Sequence, residues 1–139
     1  MARQQTLAMI KPDILQSKRQ GALLQRILDE GFEVLAMKQL HLSQEQASGF
    51  YAEHQGKPFF ENLCRFMTSG PLIVLALERE DAVRQWREVL GKTDPQEAAP
   101  GTIRQLFGST VTINAAHGSD SVENGQRECH YFFSDLELR

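Results

Sequence analysis

Six consecutive apolar residues, Leu72-Ile73-Val74-Leu75-Ala76-Leu77, follow a Gly70-Pro71 break and show no alternation with polar ones. A strand with one wet face alternates, so an unbroken run of this length reads as a strand buried on both faces, central in its sheet. A chain of 139 residues, 41% hydrophobic, can build one core around such a strand and is too short to divide comfortably into two. Residues 1–139 are therefore expected to form a single domain.

The remaining elements are read outward from that strand. Leu7-Ala8-Met9-Ile10 is a short apolar run stopped by Lys11-Pro12-Asp13, which predicts a first strand over 6–10 ending in a lysine. Leu23, Leu24, Ile27 and Leu28 recur at helical spacing before Gly31, predicting a helix over 20–30. Residues 32–42 alternate, with Phe32, Val34 and Ala36 on one face and Leu35 and Met37 on the other. Ser43-Gln44-Glu45-Gln46 has the form of a capping box and opens a helix carrying Phe50, Tyr51 and His54. A further helix is expected from Pro58, with Phe59, Phe60, Leu63, Phe66 and Met67 at its period, and another over 81–90 with Trp86 inward. Residues 91–114 read as a long loop with a short helical piece over 102–107, and a loop of that length in a small domain is usually functional. Glu128-Cys129-His130-Tyr131-Phe132-Phe133 reads as the last strand. The resulting βαββαβ succession predicts an α+β, ferredoxin-like fold: a four-stranded antiparallel sheet with helices packed on one face.

Charge narrows the chemistry. Fifteen Lys and Arg stand against 18 Asp and Glu, a net charge of −3, which gives no general positive field and argues against nucleic-acid binding as a main role. Basic residues that bind phosphate must be few and placed. No apolar run is long enough to span a bilayer, and the start Met1-Ala2-Arg3-Gln4-Gln5 has no signal-peptide apolar region, so a cytoplasmic protein without membrane contact is expected. Cys64 and Cys129 are read as reduced core residues, the second on a strand. His41, His54, His117 and His130 with these cysteines show no recognised metal-ligand spacing.

Against this background the segment Asn114-Ala115-Ala116-His117-Gly118-Ser119-Asp120-Ser121 stands out. Imidazole is a competent nucleophile near neutral pH, and Gly118 leaves space where a bulky anion would approach, so His117 could carry a phosphoryl group. A lone histidine in a polar loop is more often a helix cap. Its company weighs the other way: Lys11 at a strand end, Tyr51 and His54 on one helix, Arg87 on another, and Thr93 and Arg104 in the long loop. Singly such cations are usually solvated, but together with a nucleophilic histidine they suit a polyphosphate.

These residues lie in motifs that run through nearly the whole chain: Ile10-Lys11-Pro12-Asp13, Phe50-Tyr51 with His54, Pro58-Phe59-Phe60, Met67-Thr68-Ser69-Gly70-Pro71, Gly91-Lys92-Thr93-Asp94-Pro95, Pro100-Gly101-Thr102-Ile103-Arg104, and the His117 segment. In that order they resemble the nucleoside diphosphate kinases. The resemblance implies a ping-pong enzyme in which His117, as a pros-phosphohistidine, passes the γ-phosphoryl of a nucleoside triphosphate, chiefly ATP, to a nucleoside diphosphate. It implies that Glu128 and Ser119 orient the ring, and that Lys11 and Tyr51 meet the γ-phosphoryl. Arg87, Thr93 and Arg104 would clamp the phosphates, with His54 beside them. Phe59 and Val111 would hold the base with Leu63 nearby, and Asn114 and Lys11 would meet the ribose. Stacking discriminates weakly, so broad base acceptance follows. Mg²⁺ would arrive with the nucleotide, held mainly by its phosphates rather than by a protein cage, with Asp120 a water-mediated neighbour at most.

Departures from the family's pattern are Leu106, where an acidic residue is common, Ala99, where lysine is common, and Gly125 in place of alanine, which should cost local rigidity. Arg139 comes soon after the expected last strand, so the resemblance implies a homo-oligomer, a tetramer built from dimers, with dimer or hexamer as alternatives. The competing reading is a non-catalytic nucleotide-binding or scaffolding member of the same fold. Such a member would typically lack His117, Lys11 or Glu128, and all three are present.

Overall fold

The computed structural model describes residues 3–139; Met1 and Ala2, the start of the amino-terminal run, lie outside the described residues. In chain order the elements are β1 (Arg3–Ile10), α1 (Pro12–Gln16), α2 (Gln20–Asp29), β2 (Glu33–Leu40), α3 (Gln44–Phe50), a 3₁₀ turn (Ala52–His54) and α4 (Phe60–Met67). There follow β3 (Leu72–Glu80), α5 (Ala82–Leu90), α6 (Ile103–Phe107), β4 (Ala116–His117) and α7 (Val122–Phe132). The strands form one sheet in the order β2-β3-β1-β4, every neighbouring pair antiparallel. The ferredoxin-like α+β arrangement expected from the sequence is the one found.

The sheet is covered on both faces, not one. Ile73, Leu75 and Leu77 of β3 join Ala8 and Ile10 of β1 in a core closed by Leu23 and Ile27 of α2 and Trp86 of α5. The alternate residues Leu72, Val74 and Ala76 join Leu7 and Met9 in a second core closed by Phe50, Cys64, Met67, Cys129 and Phe133. The unbroken apolar run of β3 has this cause: successive side chains point to opposite faces, and each face meets a dry layer. Full burial of each such Leu or Ile contributes roughly 1.5–3 kcal/mol.

Local chemistry fixes several boundaries. Pro12 occupies the first turn of α1, where its missing N–H costs nothing; the sequence reading had no helix there. The Ser43 capping box is complete, its hydroxyl accepting from the Gln46 N–H at 3.1 Å while the Gln46 side chain accepts from the Ser43 N–H at 2.9 Å. A register shift between Val34 and Ala36 interrupts the alternation of β2. Val34 packs into the first core whereas Leu35 and Ala36 both pack into the second, so Val34 and Ala36 do not share a face as a regular strand would require.

The largest correction concerns residues 128–133. Residues 128–132 belong to α7, not to a last strand, Phe133 is the extended residue that caps it, and Cys129 is helical. The Ser121 hydroxyl accepts from the Asn124 N–H at 3.1 Å and starts the helix. Gly125, Glu128 and Cys129 then turn to the interior at a 3.6-residue period, which the aromatic run His130-Tyr131-Phe132-Phe133 obscures. The fourth strand is instead the two-residue β4, opposite Met9 and Ile10 of β1.

Candidate active site

β4, at the sheet edge beside β1, carries His117 to the wall of a cleft. The Trp86 indole N–H donates to the His117 carbonyl at 2.9 Å, fixing the backbone from below. Gly118 makes that possible: a Cβ there would stand 2.7 Å from the Trp86 ring, so the glycine admits the tryptophan rather than clearing a path for substrate. On the ring itself, Nε2 lies 2.9 Å from Glu128 Oε1. A carboxylate only accepts, which assigns the proton to Nε2 and leaves Nδ1 with its lone pair. Ser119 completes the support. Its hydroxyl donates to the same Oε1 at 2.7 Å and accepts from the Leu7 N–H at 3.1 Å.

Glu128 comes from α7, and its depth depends on Gly125, one turn earlier. A Cβ at Gly125 would lie 2.6 Å from the Gln5 carbonyl oxygen. The departure that looked like a loss of rigidity is thus a close approach of helix to strand.

Around His117 a cleft of about 480 Å³ opens, lined by Lys11, Tyr51, His54, Phe59, Leu63, Arg87, Thr93, Arg104, Val111, Asn114 and Glu128. Every site residue expected from the sequence lines it except Ser119, which is fully buried behind Glu128. Leu106, by contrast, is exposed on α6 and does not line the cleft.

Lys11 is buried at the end of β1, its Nζ donating to Asn114 Oδ1 at 2.7 Å. Burial, helped by the Arg104 charge, lowers its pKa from 10.5 to about 7. Asn114 is in turn held by its Nδ2, which donates to the carbonyls of Thr93 and Val111, both at 3.0 Å. Arg104 donates to the carbonyls of Gly91 and Ala116 at 3.1 and 3.0 Å, while its Nε is buried with no acceptor. Burial first and Arg87 second lower its pKa to about 10. Three cations therefore face one cleft, which suits an anion. Tyr51 remains a phenol, since burial and the Glu128 charge push its pKa well above its ordinary value.

The mouth is apolar. Phe59 is 45% exposed and Val111 56% exposed, and both line the cleft, offering apolar surface to a flat group. Phe59 also packs on the His54 ring at 5.3 Å. Of the adjacent pair, Phe60 packs inward and Phe59 outward, as their angular separation on a helix predicts.

Sequence reasoning did not single out Phe50 as a site residue, yet its ring meets His117 edge-on at 5.4 Å and lines the cleft. Its place beside Tyr51 after a capping box carries no signal for that contact. Thr112 and Glu53 also line the cleft. Among the described residues no three His, Cys, Asp or Glu side chains gather as a metal site, and no helix is long and apolar enough to cross a membrane.

An imidazole oriented by a buried carboxylate, set in a cationic cleft of an antiparallel α+β sheet, defines a phosphoryl-transferring enzyme. Comparison with known proteins gives the family. A family profile described as nucleoside diphosphate kinase matches residues 4–138, and the chain belongs to the nucleoside diphosphate kinase family. It is 51% identical over 138 residues to a nucleoside diphosphate kinase of Sorangium cellulosum, covering 99% of this chain and 96% of that one. A Histophilus somni relative of the same name is 50% identical over 138 residues, with 99% and 98% covered. Among solved structures, the Aquifex aeolicus nucleoside diphosphate kinase superposes with a TM-score of 0.96 at 42% identity, covering 99% of this chain and all of that one. The Halobacterium salinarum enzyme, solved in complex with CDP, gives 0.94 at 40% identity, with 99% and 92% covered.

Proposed function

We propose that the chain acts as one catalytic domain that transfers the γ-phosphoryl of a nucleoside triphosphate, chiefly ATP, to a nucleoside diphosphate through a phosphohistidine on His117. One observation carries this reading: Glu128 Oε1 engages Nε2 at 2.9 Å, which leaves Nδ1 as the ring nitrogen with a free lone pair. Nδ1 attacks the γ-phosphorus, the bond from phosphorus to the β,γ-bridging oxygen breaks, and the nucleoside diphosphate leaves with that electron pair. A terminal β-phosphate oxygen of the second nucleotide then attacks the phosphohistidine, and the electron pair returns to Nδ1. Because the nucleoside diphosphate that leaves and the one that accepts differ only in base and sugar, the second half-reaction is the reverse of the first and one set of groups serves both.

Lys11 as ammonium and Tyr51 as phenol donate to the transferring group. Arg87, Thr93 and Arg104 line the cleft and hold the β- and γ-phosphates. His54 lines the same side. Asn114 has both amide hydrogens engaged, so it meets the ribose through the second lone pair of Oδ1, accepting from a hydroxyl beside Lys11. Phe59 and Val111 enclose the base, with Leu63 nearby, and no base edge is read. Alignment of a held ring with a held triphosphate supplies much of the rate.

Mg²⁺ fits a cleft whose oxygen donors come mostly from substrate. Asp120 at the mouth is an ionised carboxylate, its pKa lowered chiefly by the Asn124 amide at 2.6 Å, and it would meet the ion only through water, the phosphates supplying the main oxygen donors. When bound, the ion neutralises charge on the β- and γ-oxygens. The reading also carries a cytoplasmic location and a homo-oligomer, a tetramer built from two dimers. β2 supports assembly, since it stands at the sheet edge with half-exposed Met37 on it, and light scattering tests it.

Incubation with γ-labelled ATP and Mg²⁺ tests the chemistry. Acid-labile label should appear on the protein, move to added GDP, and be lost in His117→Ala. Label that persists in that variant, or that never forms on the wild type, refutes the assignment.

A further inference from the structure

Asp13 is a buried carboxylate that the chemistry above does not use. Both of its oxygens are shielded from solvent and neither has a hydrogen-bond partner. It lies in the first turn of α1, two residues after Lys11, and three main-chain N–H groups, those of Asp13, Ile14 and Ala115, direct their dipoles toward it without completing a hydrogen bond. Ala115 matters most. It sits in the left-handed region at φ +77°, its carbonyl accepts from the Lys11 N–H at 2.9 Å, and it follows the asparagine that holds Lys11 Nζ at 2.7 Å. The Lys11-Pro12-Asp13 turn and the 114–115 turn thus lock together at both main chain and side chain.

Lys11 needs that neighbour. Its one hydrogen-bond acceptor, Asn114, is neutral. The charged groups around it are otherwise unhelpful: Arg104 from α6 and Arg87 from α5 are cations, and Tyr51 after α3 stays a phenol. Glu128 of α7 is engaged with His117 of β4 and with Ser119, and Glu53 and Asp120 stand exposed at the mouth near His54. Asp13 is the acidic group that acts on Lys11, through the low-dielectric interior rather than through a direct ion pair.

We propose that Asp13 is a positioning residue for phosphoryl transfer: its buried carboxylate, set against the Ala115 turn, is the counter-charge that keeps Lys11 an ammonium facing the substrate. The proposal rests on the placement of Lys11 at the γ-phosphoryl. Burial raises the pKa of Asp13 on balance, as it lowers that of Lys11, and each side chain opposes the shift of the other by favouring its partner's charged form.

The experiment measures kcat/KM for ATP against pH, which reports the free enzyme, in wild type, Asp13→Asn, Asp13→Ser and Asp13→Glu. In parallel, ¹³C NMR follows the Lys11 side chain through its titration. Losing the carboxylate should move the Lys11 midpoint and the alkaline limb down by about one pH unit, so that kcat/KM falls about tenfold at pH 8 and only about twofold at pH 6. Asp13→Glu should restore both, which a purely structural role does not predict. An unshifted Lys11 midpoint in a folded Asn or Ser variant overturns the proposal. Lys11→Met separates the two readings: full activity there would refute Lys11 at the γ-phosphoryl, while the Lys11 titration still decides whether Asp13 sets its charge.

Discussion

Ser119→Ala tests how the site is joined to the sheet. The ladder between β1 and β4 ends at the pair Met9 and His117, and the next inward-facing N–H, that of Leu7, would meet residue 119 if the ladder continued. The strand has already stopped, and the Ser119 hydroxyl accepts in its place at 3.1 Å while donating to Glu128 Oε1 at 2.7 Å. Removing one oxygen therefore breaks a charge-assisted hydrogen bond, about 1.5–3 kcal/mol, and leaves a buried N–H unpaired, about 1–3 kcal/mol. Partial relaxation brings the expected sum to about 3 kcal/mol, or, at roughly 4 °C per kcal/mol for a chain of this size, a fall in Tm of about 12 °C. Calorimetry at one protein concentration measures it. A double-mutant cycle with Glu128→Gln should show a coupling of at least about 1 kcal/mol, because both changes act on the same Oε1 contact. A fall in Tm below about 3 °C, or additive effects in the cycle, would falsify the account of Ser119 as a stand-in for the ladder.

Lys11→Arg should lower kcat by roughly two to three orders of magnitude despite keeping the charge, since a planar fork does not fit the buried position of a point ammonium; single-turnover labelling reads it. Gly125→Ala should destabilise by about 1–3 kcal/mol through the Gln5 carbonyl, outweighing the roughly 1 kcal/mol gained in helix propensity, and thermal melts decide the sign. Ala115→Gly should raise stability by about 1 kcal/mol by relieving the left-handed backbone while lowering kcat, seen as a higher Tm with slower labelling. His130, at a helix end, has its pKa raised above 6.5 first by the Gln126 carbonyl and then by Asp135. The protonated ring is thus favoured by folding, so its contribution is complete below pH 6.5 and lost as pH rises through the higher folded value. Accordingly, the Tm gap between wild type and His130→Gln should be widest near pH 6 and close at alkaline pH.

The central strand, the capped helix at Ser43 and the cleft-lining residues were legible because each leaves a local mark: an unbroken apolar run, a hydroxyl three residues before an amide, a cation where packing needs none. What escaped was decided at a distance. Residues 128–133 read as a strand because of their run of aromatic residues, but α7 is chosen by Gly125 meeting β1 and by Ser121 capping. β4 was invisible because two residues carry no period, and only β1 makes them a strand. The second covered face followed from the β3 run itself, which demands dry layers on both sides. Gly118 was linked to substrate from its neighbour's chemistry, whereas Trp86, 32 positions earlier, fixes its role. Phe50 and Asp13 stand within motifs visible in the sequence, but their roles were not, since their approaches to His117 and Ala115 exist only after the chain has closed.

The pairing of β1 with a strand more than a hundred residues later has a consequence for synthesis. Lys11 and Leu7 emerge early, but their partners Asn114 and Ser119 lie 103 and 112 positions downstream. Until that last stretch leaves the ribosome, a central strand waits with an open edge, its lysine without an acceptor, while β3 has already paired on its other side. A nascent chain stopped before residue 114 would hold most of the sheet and none of the chemistry. Activity therefore reports completion of the chain, and stalled or truncated products should partition to chaperones or aggregates rather than compete for nucleotides.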